Sequence, residues 1–169
     1  MPFRVAVVIV TDKPLYANGA NRMSTAANPY VSEQGDILAN IHTLPWLEVG
    51  GGTRFKVLRA CRITGDWALF VNMEPGASFQ PHRHQGPGQF FITKGELLYE
   101  VGSAPEGTYG FEPIFAEHSQ ARCEIETEML FLGSGAVTYF KEDRSIDYVF
   151  DAESLISLTE GELELDIGN

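Results

Sequence analysis

Three of the chain's four histidines fall in two segments punctuated by glycine and proline, Gly76-Ala-Ser-Phe-Gln-Pro-His82-Arg-His84 and Gly107-Thr-Tyr-Gly-Phe-Glu112-Pro113-Ile-Phe-Ala-Glu-His118. Imidazoles two positions apart on a strand project from the same face, because strand side chains alternate with period two. A third ring from a neighbouring strand completes a triangle of nitrogen donors. Neutral imidazole suits Fe, Zn, Cu and Ni, and three protein ligands leave coordination positions open for water, substrate or dioxygen. His82, His84 and His118 are therefore the expected metal ligands, and an open position points to catalysis rather than to a purely structural ion. Arg83, between the first two, is expected on the opposite face in packing or a salt bridge. His42, isolated in Asn40-Ile41-His42-Thr43, reads as an ordinary hydrogen-bonded histidine.

Other chemistries find less support. The chain has no GxSxG elbow, P-loop or dinucleotide fingerprint, and Gly50-Gly51-Gly52 lacks the strand-to-helix context of a phosphate cradle. Cys61 and Cys123 form no CxxC and read as buried free thiols of a reducing compartment. A formal net charge of −11 leaves no basic surface for nucleic acid or anionic membranes, and favours a neutral organic molecule over a polyanion as substrate. The apolar run Val5 to Val10 is too short to span a membrane, and no secretory cleavage site follows it. A cytoplasmic protein is expected.

The elements that must hold the histidines are short strands. From Trp46 onward, apolar runs at Thr53 to Cys61, Trp67 to Met73, Gln89 to Thr93, Glu96 to Val101, Thr127 to Leu132, Ala136 to Phe140 and Ile146 to Phe150 alternate with turn signals. Those signals are Gly65-Asp66, Glu74-Pro75-Gly76, Gly86-Pro87-Gly88, Lys94-Gly95, Ala104-Pro105 and Gly133-Ser134-Gly135. Many short strands between turns predict an all-β sandwich or barrel. Residues 1–45 are expected to be an N-terminal extension packing on the barrel, with a strand over Val5 to Val10 and a loop over Asp12 to Asn28. Met23-Ser-Thr-Ala-Ala within it resembles a start of translation. Residues 46–150 are expected to form the barrel, and residues 151–169 a helix capped by Asp151 over Ala152 to Leu158 and an acidic tail. In that tail Leu163, Leu165 and Ile167 alternate with acids, which fits either an edge strand or a frayed end.

The two histidine segments resemble the motifs of the cupin superfamily. Gly76, His82, His84 and Gly95 fit its first motif, a glycine, five residues, HxH, a glutamate and a later glycine. Gly107, Pro113 and His118 fit its second. The resemblance implies a cupin double-stranded β-barrel, or jelly roll. Two departures stand out: the motif glutamate would fall at Gly88 or Gln89, neither of which is a carboxylate, and Phe115 replaces the glycine after Pro113. Gln89 is at most a weak or outer partner of the ion.

A three-histidine set without the acid is similar to the group containing 2,4'-dihydroxyacetophenone dioxygenase and the acetylacetone-cleaving dioxygenase. That resemblance implies a non-haem Fe(II) enzyme that uses dioxygen to cleave a carbon–carbon bond beside a ketone, in a small hydroxyketone or β-diketone, and that forms a homodimer or homotetramer. Zn, Ni, Mn or Cu are alternative ions. The resemblance also implies that Glu112, six residues before the last ligand, is a polar residue behind the ligands, able to take the substrate proton, and that Phe79 lines the pocket. Aromatic residues in or near the motif strands, Phe90, Phe131 and Tyr139 among them and Phe115 foremost after Phe79, are expected to add an apolar wall, with Gln89 a further pocket residue. The alternatives are an isomerase or quercetinase-like activity on the same ligands, and a non-enzymatic metal- or ligand-binding sensor module resembling the zinc-binding cupin domain of some anti-sigma factors.

Overall fold

The computed structural model describes residues 9–10, 30–31 and 36–164. The apolar runs become strands because β-branched and aromatic side chains fit a pleated, half-buried surface. The longest, Thr53–Cys61, Asp66–Met73, Gly88–Lys94 and Thr127–Ser134, lie side by side in a seven-stranded sheet. Its inward face carries Phe55, Val57, Trp67, Leu69, Val71, Phe90, Ile92 and Met129, all buried. Trp46 packs on the outward face against Phe70, with the Lys56 ammonium 4.4 Å from its ring centroid.

Two four-stranded sheets are built from shorter pieces. One orders Gly102–Pro105, Glu96–Tyr99, Ala121–Arg122 and Ser78–Phe79; the other orders Glu117–His118, His82–His84, Val137–Phe140 and Ile146–Phe150. Their apolar side chains join the same core cluster as those of the large sheet, with Phe150 in edge contact with both Phe55 and Trp67. This is the expected all-β jelly roll, whose facing sheets enclose the core.

Ala104-Pro105, read from sequence as a turn, instead ends the strand Gly102–Pro105 opposite Glu96. The reversal comes earlier, at Glu100-Val101, and Pro105 sits on the outermost strand, where its missing N–H removes no ladder bond.

The helix runs Ala152–Glu160, two residues past the expected end. Asp151 caps it by accepting from the Ser154 backbone N–H at 2.9 Å, and Gly161 closes it in the left-handed conformation that glycine adopts without strain. Leu155 and Ile156 on its inner face are fully buried.

Of the expected N-terminal strand, Ile9–Val10 lies within the described residues and pairs in parallel with Ala60 and Cys61. The expected loop at Asp12 to Asn28, the Met23 segment and Leu165 and Ile167 of the tail lie outside them. No helix among the described residues is long and apolar enough to cross a membrane.

Candidate metal centre

Strand register brings the histidines together. His82–His84 is a three-residue strand with antiparallel neighbours on both sides, Glu117–His118 and Val137–Phe140. His118 stands directly opposite His82, and directly paired residues share a face, so both rings point where His84 also points. Ring centroids are 5.2 Å apart for His82–His84, 5.2 Å for His82–His118 and 5.6 Å for His84–His118. One nitrogen from each ring lies within 4.8 Å of the others, in a group that could hold a metal ion. Arg83 points the other way, its Nε donating to Glu117 at 3.2 Å.

All three rings are enclosed, with 6%, 4% and 5% of His82, His84 and His118 exposed. Burial disfavours the charged imidazole and pushes His82 down to about 4; burial lowers His84 as well. Burial also opposes charge on His118, but the Glu112 carboxylate beside it outweighs this and raises it. His82 Nδ1 lies 2.7 Å from the Gln80 carbonyl oxygen, and donating that proton leaves Nε2 as the free lone pair.

The donor set fits a divalent cation. His84 Nε2, His118 Nδ1, His118 Nε2 and Glu112 Oε2 are buried without a hydrogen-bond partner. Buried polar atoms are rarely left unsatisfied, and here three of them, His84 Nε2, His118 Nε2 and Glu112 Oε2, gather in one cluster, while His118 Nδ1 faces Glu100 on the other side of its ring. A cation among them would satisfy atoms that the protein alone does not.

Glu112 ends the strand Tyr109–Glu112, which pairs with Gly88–Lys94 and places Glu112 opposite Gly88. It is buried, with Oε2 3.0 Å from His84 Nε2 and Oε1 3.4 Å from His118 Nε2. Burial pushes its carboxyl up, and the neighbouring imidazoles more than reverse that, so it lies below the usual glutamate value.

Beside the rings is a cavity of about 60 Å³, walled by apolar side chains including Phe79, Trp67, Met129 and Phe131, with His82, His84, Glu112 and Tyr139 at its polar end. Phe79 is thus placed at the cavity, with its ring edge-on to His82 at 6.2 Å. Gln89 and Phe115 are not among its walls. Gln89 follows the inward-facing Gly88 and so turns to the other side of the sheet, where its Oε1 accepts from the Tyr109 hydroxyl at 2.9 Å. Phe115 adopts φ 67° in the turn before His118 and is 65% exposed. His42 is exposed in a turn, and both cysteines are buried and unpaired.

Two of the aromatics expected to form the apolar wall take definite places on the ligands, and one further residue, Glu100, escaped the sequence reading. Tyr139 stacks on His82 at 5.1 Å and Phe131 on His84 at 6.0 Å. Glu100 sits 3.6 Å from His118 Nδ1 and accepts from the Ser119 backbone, the Ser119 hydroxyl and the Gln120 N–H. The signals were faint: alternation marks Tyr139 and Phe131 as core without naming what they touch, and Glu100 looks like any solvated acid at a strand end.

Comparison with known proteins agrees with this geometry. Over 91 residues the chain is 34% identical to the acetylacetone-cleaving enzyme of Acinetobacter johnsonii, an alignment covering 49% of this chain and 60% of that protein. The matched region is thus less than two thirds of the relative's length. The crystal structure of an acetylacetone dioxygenase from Acinetobacter johnsonii superposes with a TM-score of 0.68 at 21% identity, covering 87% of this chain and 100% of the other, a likeness of fold. A Methylibium petroleiphilum PM1 protein provisionally named an acetylacetone dioxygenase superposes with a TM-score of 0.63 at 27% identity, covering 67% of this chain and 86% of its own. A family model, that of the ChrR cupin-like domain, matches residues 34–138, a stretch that runs through both histidine segments, and the chain belongs to that family of cupins.

Proposed function

We propose that this protein is a metal-dependent dioxygenase that holds Fe(II) through His82, His84 and His118 and cleaves a carbon–carbon bond beside a ketone in a small neutral hydroxyketone or β-diketone. The observation that carries the reading is the cluster of buried, unsatisfied donor atoms at the polar end of an apolar cavity. The 34% identity to an acetylacetone-cleaving enzyme directs the choice of substrate class. Imidazole donors also accept Zn, Ni, Mn or Cu, and the resemblance to the acetylacetone-cleaving group is what favours iron here.

When bound, the ion supplies a Lewis acid that favours the enolate of a chelating ketone and a place for dioxygen to react with it. The chain's residues supply the rest. Glu112, held against His84 and His118, is placed to take the proton lost from the carbon between the carbonyls. Phe79, Met129 and Phe131 exclude water and bind the apolar flanks of the substrate. A cavity of about 60 Å³ holds on the order of two waters at about 30 Å³ each, so a β-diketone needs less rearrangement than an aryl ketone.

A cytoplasmic setting and a homodimer or homotetramer complete the proposal. The buried unpaired thiols of Cys61 and Cys123 support the first; exposed Tyr109 and Phe111 on the edge strand of the large sheet, with Phe91 on the strand beside it, support the second. The test is oxygen uptake by the iron-reconstituted protein with acetylacetone and with 2,4'-dihydroxyacetophenone. Uptake with either, faster with acetylacetone, is the expected result. The small cavity also favours a second reading, a metal-binding sensor module, and tight zinc binding with no oxygen uptake by the iron form would establish that instead.

A further inference from the structure

Four positions lie side by side across the large sheet and face the core. Trp67 pairs with Gly133, Gly133 with Gly88, and Gly88 with Glu112. Directly paired residues share a face, so the row runs from an indole through two glycines to the carboxylate at the metal centre. Neither glycine has the positive φ that calls for one. What the two provide is a trough: a Cβ at Gly133 would overlap Trp67 Cζ2, and one at Gly88 would lie 2.9 Å from Phe131 Cζ.

Two aromatic rings lie in that trough. Phe131 stacks on the indole at 5.5 Å and 13° and on His84 at 6.0 Å and 16°, so Trp67 stands one ring removed from the metal ligands. Trp67 also walls the cavity whose polar end is formed by His82, His84, Glu112 and Tyr139. The indole is thus part of the apolar end.

This wall does not yield easily. Trp67 Nε1 donates to the Gly135 carbonyl at 3.0 Å, and Phe150 meets the ring edge-on at 5.3 Å. Turning the ring aside would break that bond and leave a buried N–H unpaired, a cost that the flexible Met129 in the same wall does not face.

We propose that Trp67 limits the reach of the substrate, so that the site accepts a β-diketone with methyl ends and rejects one whose chain extends past Phe131 to the place of the indole. The proposal rests on the substrate class read above and names the residue that sets its length. A single methylene that an apolar pocket does or does not hold changes discrimination roughly 10- to 200-fold.

The test uses the zinc form, in which no oxygen chemistry consumes the ligand, and calorimetric titration with acetylacetone and with 4,6-nonanedione, which carries a propyl group at each end. Wild type binds acetylacetone at least ten-fold more tightly. Trp67→Leu binds one zinc per chain and loses that preference. Trp67→Phe, which keeps a ring against Phe131, lowers the preference in the same direction. Trp46, on the outward face of the sheet, is the only other tryptophan, so the emission of Trp46→Phe reports Trp67 in an unaltered cavity. Saturation with acetylacetone shifts that emission. A preference unchanged in both Trp67 variants, or an emission that does not move, overturns the proposal and leaves the metal centre and its substrate class standing. A wild-type zinc form that binds neither diketone overturns the substrate class itself, and the proposal with it.

Discussion

Tyr139 lies directly across from His82 in the register between their strands, its ring stacked on the imidazole with centroids 5.1 Å apart at 30°. Tyr148 stacks in turn on Tyr139 at 4.6 Å. The imidazole is thus fixed by packing on its face and by the Gln80 carbonyl at its edge. Truncating Tyr139 to alanine opens a cavity under this stack, and urea unfolding of the metal-free protein is expected to show a loss of about 3 kcal/mol or more. Tyr139→Phe keeps the ring and retains most of the stability and of the metal affinity. Equal affinity in the alanine variant would show that the stack does not position His82.

Gly88→Ala adds a single carbon where Glu112 Oε2 and Phe131 Cζ come within 3.0 Å of its place. Overpacking of this kind costs about 1–3 kcal/mol. The crowded groups are Glu112 and a ring that walls the cavity, so the variant is expected to keep the far-ultraviolet spectrum of the wild type and to bind Co(II) more weakly. Unchanged binding would show that the space at 88 serves packing only.

Acid acts on the metal-free protein in two windows. Burial places His82 at about 4 in the folded chain against 6.5 when free, so the unfolded state binds more protons between those values and stability falls as pH drops from 6.5 to 4. His118, raised by Glu112, has the opposite sign and partly offsets the loss; its stabilisation is present at low pH and fades as pH rises. Burial would raise Glu100, but hydrogen bonds led by the Ser119 side chain hold it at about 2 against 4.5 when free. Its contribution is therefore present above 4.5 and lost as pH falls towards 2. Melting temperatures across pH should show His82→Asn flattening the upper window and Glu100→Gln the lower. Parallel curves for wild type and both variants would contradict these assignments.

Local pattern and long-range register differ in how well the sequence reveals them. Thr53–Cys61 and Ile146–Phe150 match their apolar runs to the residue, because β-branched and aromatic side chains mark a buried strand within a short window. The HxH spacing shows that His82 and His84 share a face. The strand Tyr109–Glu112 was not legible, since Gly110 interrupts it and its apolar positions, Tyr109 and Phe111, face outward. What makes Glu112 matter is its pairing with Gly88, a contact between positions 24 residues apart that no local pattern encodes. Glu100 is hidden for the same reason, its partners Ser119 and Gln120 being 19 and 20 residues away. Phe115 and Gln89 were drawn towards the pocket by nearness in sequence to the histidines, and turn geometry and strand parity direct them elsewhere.

The central claim is that His82, His84 and His118 together hold one metal ion. Elemental analysis of protein purified without oxygen, comparing wild type with His118→Ala, tests it most directly. The account predicts close to one equivalent of first-row metal per wild-type chain, lost in a variant that keeps the same far-ultraviolet spectrum. Undiminished metal in His118→Ala would contradict it.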